Sequence, residues 1–281
     1  SLLSACGGGG GGSAPVDGSA PPPPPGQSEP PASPPTLPPA PVPAPPPPAE
    51  TKAWLGAELL ETLNGSSASA PEIAVAPNGD AMAVWVQSNG DEQVVWANRY
   101  VAGDGWQGAE QVPKGISTEG SEPQVAADGS GNALVVWVTK INNRPVVAAN
   151  RFSATTGSWG EMVSVADAFG VGVATPQIVA DSIGNAIAIW TQEKTVQPTG
   201  TRRDVFASRF SFDADTDSGD WVSFGAIESS DAGSADSPQA AIDFNGDVIV
   251  VWVQANGPDE ATARTDILAN RFIASGINSG W

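Results

Sequence analysis

A motif of about 50 residues occurs four times in this chain, and this repeat limits the possible folds more than any other feature. Each copy contains a Pro, a short apolar segment, a turn with Gly, an apolar segment ending in Trp, an Arg-aromatic pair and a second Trp. The first copy runs from Pro71 to Trp106. Successive copies of the first Trp are 52, 53 and 62 residues apart, so the length differences fall in loops. The first Trp of each copy is Trp85, Trp137, Trp190 or Trp252.

The segments within each copy have the composition of β-strands. They are short, rich in Val, Ile, Ala and Trp, and bounded by Gly, Asn and Asp. Asn78-Gly79 and Asn245-Gly246 lie between apolar runs, which is a strong hairpin signal because both turn positions tolerate a positive φ. Residues after the second Trp supply a fourth strand. The pattern therefore predicts an all-β fold, a β-propeller of four-stranded antiparallel blades formed by residues 54–281.

The point in the repeat at which the domain begins and ends leaves two alternatives for how the blades form a propeller ring. Residues 54–61 match the segment that begins at Trp106, so the domain opens with a fourth strand. The last copy reaches Gly280-Trp281, where its own fourth strand should start. Either residues 54–62 pair into the last blade and close a four-bladed ring, or these blades belong to a larger ring. The second alternative is favoured.

The hairpin turns resemble those of Asp-box, sialidase-like propellers. Asp181 and Asp243 each precede a Gly-containing turn, as in the Asp box. The pattern departs from that family because the Trp lies several residues further on and because Ala76 replaces Asp in the first copy. The resemblance, together with one to bacterial propeller-type repeat lipoproteins, implies the architecture and not the chemistry.

The first 53 residues differ from the rest of the chain. Residues 7–53 form a linker rich in Gly and Pro, and the first fifty residues hold 18 of the 27 Pro. Such a composition predicts a disordered tether with polyproline II character. Leu3-Ser4-Ala5-Cys6 resembles the lipobox of bacterial lipoproteins, so residues 1–6 are interpreted as a signal-peptide remnant and lipobox. The resemblance implies a lipid on Cys6 and a place in the cell envelope; Gly7 after the Cys favours the outer membrane.

Composition excludes several chemistries. The chain has no His and one Cys, so it lacks a His-dependent nucleophile, a His metal ligand and a Cys-based metal site. Its formal net charge of −19 makes nucleic acid an unfavourable partner. No catalytic residues and no organic cofactor are predicted.

Candidate ligand-binding residues are few, because most notable side chains recur at fixed repeat positions. The Arg of each copy is predicted to be structural, pairing with a turn Asp or with carbonyl groups, and the repeated Trp are predicted to be core. Trp96 lies outside the repeat positions and is a candidate for ligand contact. A polar residue after each repeated Pro would form a ring at one mouth of a channel. The members of that ring are Glu72, Gln124, Gln177 and Gln239.

One acidic loop is the metal candidate. Asp213, Asp215, Asp217 and Asp220 alternate with small or polar residues, as in calcium-binding loops. The loop resembles the start of an EF-hand or dockerin loop, but Gly219 stands at the seventh position and Phe224 occupies the place of the final Glu. The loop is therefore a candidate calcium site, and the favoured alternative is a solvated acidic loop tip.

Two function hypotheses follow. The first is a lipid-anchored, non-enzymatic scaffold at the cell surface or in the periplasm, with a protein or glycan ligand and a membrane contact through Cys6. The alternative is a glycan-binding or glycan-hydrolysing, sialidase-like propeller whose site is completed by further blades.

Overall fold

The structure is a computed structural model that describes residues 55–63, 65–165, 171–195, 200–228, 233–257 and 263–274. The chain divides into two compact units, Ser1–Leu55 and Gly56–Trp281, and the account below concerns the second. Cys6, the linker at 7–53, Trp54 and Trp281 lie outside the described residues.

Antiparallel strands form four separate sheets, as predicted, and we call these sheets blades 1 to 4. Strands run in sequence order within each blade, so each blade is built from successive hairpins. Blade 1 contains β1 Ala68–Val75, β2 Ala81–Ser88, β3 Gln93–Val101 and β4 Gly105–Gln111. Blade 2 contains β5 Thr118–Ala127, β6 Ala133–Ile141, β7 Arg144–Ser153, β8 Ser158–Trp159 and β9 Val163–Ser164. Blade 3 contains β10 Val171–Ala180, β11 Ala186–Thr195, β12 Thr201–Asp213 and β13 Ser218–Ala226. Blade 4 contains β14 Ala235–Ile242, β15 Val248–Asn256 and β16 Arg264–Phe272.

Two blades depart from the predicted four strands. In blade 2 the outer strand is interrupted at residues 160–162, and its two pieces, β8 and β9, both pair with β7. In blade 4 the described residues form three strands. The predicted order of successive hairpins therefore holds in every blade. The predicted number of four strands does not hold in blades 2 and 4, where the outer edge differs.

Each inner strand has the same bulge beside the repeated Pro. The residue before that Pro has a φ near +50°, and the pairing with the second strand shifts at this point. Pro has no amide hydrogen to give to the ladder, so a bulge is where a strand accommodates it. The four residues with positive φ are Ala70, Glu122, Thr175 and Ser237.

Successive blades pack face to face, and each blade has two faces. The back face includes the first Trp of the repeat and contacts the preceding blade; the front face contacts the following blade. In blade 2, Trp137 on the back face packs with Val84 of blade 1, and Val136 on the front face packs with Trp190 of blade 3. A third cluster joins blades 3 and 4 around Trp252. Near-continuous apolar runs in the second strand follow from this burial on both faces.

The four blades form an open arc. The inner strands β1, β5, β10 and β14 contact one another in that order, and β14 and β1 share no comparable contact. Residues 55–63 contain no strand and lie beside blade 1, where the carbonyl of Leu60 accepts a 3.0 Å hydrogen bond from Asn98. In the described residues the N-terminal segment is therefore not paired into blade 4.

No helix in the described parts of the chain is long and apolar enough to cross a lipid bilayer.

Candidate functional site: a cleft between blades 2 and 3

The outer rims of blades 2 and 3 enclose a cleft of about 580 Å³. One wall is the interrupted outer strand of blade 2, and the other is the last hairpin of blade 3, which the turn at residues 214–217 closes. Trp159 and Trp221, the second Trp of their repeats, both line it and both are half-buried. The exposed carboxylates Glu161 and Asp220 also face this space. Aromatic surface beside polar groups is the usual composition of a small-ligand site.

A charged contact across the cleft holds the two blades together. The guanidinium of Arg151 lies 2.8 Å from one carboxylate oxygen of Asp217 and donates a 2.9 Å hydrogen bond to the same residue's carbonyl. The hydroxyl of Ser153 donates to the other carboxylate oxygen at 2.5 Å. That hydrogen bond and the nearby guanidinium hold the pKa of Asp217 below its ordinary value. Arg151 also stacks over Phe212, 4.5 Å from its ring centre.

One buried acceptor in this cleft has no hydrogen-bond partner among the described residues. Asn150 is 2% exposed and lines the cleft; its amide nitrogen donates to the carbonyl of Pro113 at 2.9 Å, but its Oδ1 accepts nothing. In blade 1 the equivalent oxygen of Asn98 accepts a 3.0 Å bond from the amide of Gly108 on the continuous outer strand. Blade 2 lacks this bond because its outer strand is interrupted after Trp159. An unpaired buried acceptor is costly, so this atom is suited to a ligand donor.

The two sets of repeated Trp differ in burial. The first Trp of each repeat is at most 5% exposed, which confirms the prediction of a core position. Its indole nitrogen donates 3.1 Å hydrogen bonds to a Gln two residues later in blades 1, 3 and 4. The second Trp lies on the outer strand and is half-buried at Trp106, Trp159 and Trp221. The prediction of a core role holds in part: Trp159 and Trp221 pack against core clusters but are not fully buried, because an outer strand has a neighbouring strand on one side only.

The other candidate ligand residues lie elsewhere. Trp96 is half-buried opposite Trp85 in blade 1, and its indole nitrogen donates to the carbonyl of Gln87 at 3.2 Å. The polar residues after each Pro occupy one register position on the four inner strands, but along an arc and not a closed ring. These are Glu72, Gln124, Gln177 and Gln239.

The acidic loop of blade 3 does not gather its carboxylates. Asp213 accepts a hydrogen bond from the amide of Asp215 at 3.0 Å, Asp217 is engaged by Arg151, and Asp220 faces the cleft. No group of three or more acidic side chains among the described residues is placed to hold a metal ion. The geometry gives the calcium prediction no support.

The repeated Arg residues are structural, as predicted. Arg99 and Arg271 pair with Asp80 and Asp247 of the hairpin turns at 2.7 and 2.6 Å. Each Arg of the first three blades also stacks over an aromatic ring of the following blade, as Arg209 does over Phe272 at 5.6 Å.

A polar contact that the sequence did not indicate joins blades 3 and 4. Glu228 accepts hydrogen bonds from the amide of Val205 at 2.9 Å and from the side chain of Gln254 at 2.8 Å. Asp204 lies beside it, 1% exposed and paired with Arg202 at 2.6 Å. Burial and the charge of Asp204 raise the pKa of Glu228 to about 8, so this carboxyl is protonated at neutral pH. Both of its oxygens are engaged in the blade interface, which makes it a structural group.

These features define an all-β protein with propeller-type blades. No protein-family model and no curated protein matches the chain. A solved protein of unknown function from Dyadobacter fermentans matches 79% of this chain and 68% of its own, at 10% identity and a TM-score of 0.50. The arabinanase Arb43A of Bacillus subtilis matches 74% of both chains at 13% identity and a TM-score of 0.37. A glycosyl hydrolase from Bacteroides ovatus matches 77% of this chain and 70% of its own at 13% identity and a TM-score of 0.39.

The expectation that this chain is not an enzyme is contradicted by these matches, because two of the three structures are enzymes by name. At such identities the likeness shows the fold alone. The lipid anchor and the envelope location remain predictions.

Sequence reasoning missed Asn150, Trp159 and Trp221 as site residues. Each recurs in the repeat, and recurrence was interpreted as a structural role. The available signal was Gly160 directly after Trp159, where blade 1 has Gln107 after Trp106. That local difference marks the interruption of the outer strand.

Proposed function

We propose that this protein binds a glycan in the cleft between blades 2 and 3. The observation that carries the proposal is the buried, unpartnered Oδ1 of Asn150 beside the two Trp rings. Sugars offer hydroxyl donors along their edges and apolar C–H faces, so an acceptor next to indole rings matches both features. A volume of about 580 Å³ lies within the range of small-ligand sites.

The charges of the cleft favour a neutral or amino sugar over an acidic one. Arg151 is already paired with Asp217, whereas Glu161 and Asp220 remain exposed. The whole chain also carries a formal charge of −19, which repels anionic ligands.

Trp159→Ala tests the proposal, with Trp106→Ala as the matched control. Both rings pack edge-on against the aromatic residue of their own repeat, with 5.4 Å between ring centres and 69° between planes. Both variants therefore lose the same edge-on ring contact, and Trp159→Ala also loses an exposed hydrogen bond to Glu110. Of the two rings, only Trp159 lines the cleft. A glycan array on the wild type selects the oligosaccharide, and calorimetry measures its affinity. We expect Trp159→Ala to weaken binding about tenfold and Trp106→Ala to leave it unchanged. Equal losses in both variants, or a wild type that binds no glycan, would contradict the proposal.

We also propose that Cys6 carries a lipid that holds this domain at the bacterial envelope. The support is the resemblance of Leu3-Ser4-Ala5-Cys6 to a lipobox. The test expresses the protein with a full lipoprotein signal in a bacterium, with Cys6→Ser as the control. Mass spectrometry then measures any added acyl mass. If the two proteins differ in mass only by the substitution, the proposal of a lipid on Cys6 is overturned.

A further inference from the structure

The front face of blade 4 is uncovered where the same face of the other blades is buried. Three apolar positions, two on the second strand and one on the third, are at most 5% exposed in blades 1 to 3. In blade 3 these positions are Ile187, Ile189 and Val205. In blade 4 they are Ile249, Val251 and Ile267, which are 53%, 38% and 74% exposed.

The repeated Arg on this face is more exposed in blade 4 than in blades 1 and 2. The side chain of Arg271 is 58% exposed, and those of Arg99 and Arg151 are 21% and 12% exposed. Arg271 of blade 4 pairs with its turn Asp, yet no aromatic ring of a following blade lies under it in the described ranges.

The back face of blade 1 is uncovered along its inner strand. Ile73 and Val75 point to the same side as Ala83 and Ala81, their partners on β2, and are 58% and 67% exposed. At the position of Ile73, blade 3 has Ile178, which is 7% exposed in the core shared with blade 2. The two ends of the arc therefore carry an exposed front face and a back face that is exposed at Ile73 and Val75, although Trp85 on that back face is only 5% exposed.

We propose that the front face of blade 4 docks onto the back face of blade 1 in a second copy of this chain. Three interfaces within the chain already join a front face to a back face through the same repeat positions, so a fourth of this kind continues an established mode of packing. The apolar surface around Ile267 would then be covered by blade 1 of the second copy, whose side chains come from the same repeat. The contact is head-to-tail, so two arcs can close into a ring and more copies can extend it.

The strong negative charge of each copy opposes this contact at low ionic strength. Screening at about 0.3 M salt shortens the reach of that repulsion and should favour the dimer. Association that weakens on adding salt would indicate a polar contact elsewhere.

Light scattering after gel filtration, together with sedimentation equilibrium, tests the docking. We expect the wild type to form a reversible species of twice the chain mass of 28.5 kDa or more. Ile267→Asp, on the front face, and Ile73→Asp, on the back face, should each raise its dissociation constant at least tenfold, on the order of 1.4 kcal/mol. Ile183→Asp is the matched control, because Ile183 is 70% exposed in a hairpin turn of blade 3. Circular dichroism shows whether each variant is folded.

Mixing the two variants distinguishes a head-to-tail contact from any symmetric one. Ile73→Asp keeps an intact front face and Ile267→Asp keeps an intact back face, so an equimolar mixture should recover one dimer contact. A monomeric wild type, a dimer that survives both substitutions, or a mixture that stays monomeric would overturn the proposal. A monomer in which Ile267→Asp lowers the unfolding temperature would instead indicate that another part of the same chain covers blade 4.

Discussion

The protonated carboxyl of Glu228 predicts that stability falls as the pH rises through neutrality. In the folded chain burial and Asp204 raise its pKa to about 8, whereas the ordinary value is 4.5. Between these values the folded state binds more protons than the unfolded state, so the free energy of unfolding decreases with pH. The contribution is complete below about pH 4.5 and is lost by about pH 8. The full interval corresponds to about 5 kcal/mol. Because Glu228 is only half-buried and water screens the pair, we expect about 2 kcal/mol.

Glu228→Gln removes the ionisation and retains an amide of similar shape. The variant should match the wild type at about pH 5 and exceed it by about 2 kcal/mol at about pH 9. Urea denaturation, followed by Trp fluorescence across this range, gives the free energy of unfolding at each pH. Glu61→Gln is the control, since Glu61 accepts a hydrogen bond from Gln87 as Glu228 does from Gln254. A wild type and a Glu228→Gln variant with parallel pH profiles would refute the reasoning.

Three further predictions follow from the repeat. Ile187→Ala should cost about 3 kcal/mol of unfolding free energy, and the equivalent exposed substitution Ile249→Ala less than about 1 kcal/mol, measured by urea denaturation at low protein concentration. Equal costs would contradict the difference in burial between Ile187 and Ile249. Ala70→Gly should stabilise the chain by about 0.5–1 kcal/mol in a thermal melt, because Ala70 has a φ of +49° that Gly adopts without strain; a lower midpoint would contradict this. The backbone amide of Ala102 and the ion pair with Arg lower the pKa of Asp80, and the amide of Ala274 with its Arg does the same for Asp247. The two ionised carboxylates therefore stabilise the folded state above about pH 4, and this contribution is lost as the pH falls further. Acid titration of Asp80→Asn should show a shallower loss than the wild type.

The fold was predictable because the repeat specifies strands, turns and packing together. Trp190 shows how: it ends an apolar run, it is preceded by a Gly-containing turn, and it recurs in every copy. A large side chain at one position of every sheet is buried if the sheets pack face to face. The bulge at Thr175 was not predictable, because a non-Gly residue with positive φ carries no sequence signal beyond the Pro after it.

The candidate site positions were hidden by the feature that made the fold predictable. A residue present in every repeat is usually structural, and for Arg99 and Arg271 that inference is correct. The same inference does not anticipate that Trp159 lines a cleft, because the local surroundings of a repeat position differ from blade to blade. Burial of an outer-strand residue depends on what the next blade places beside it, and no single repeat contains that information.

The cleft arises where the repeat loses one of its own hydrogen bonds. In blade 1 the outer strand continues past Trp106, and the amide of Gly108 satisfies Asn98. In blade 2 the amide of Gly160 still pairs with the carbonyl of Arg151, but the strand then leaves the sheet until Val163. The departure opens space between the blades and at the same time leaves the Oδ1 of Asn150 without a donor. A repeat protein acquires a polar site at little cost in this way, because the acceptor and the surrounding sheet are already built. Restoring a continuous outer strand in blade 2 should therefore close the cleft and satisfy Asn150 in a single step.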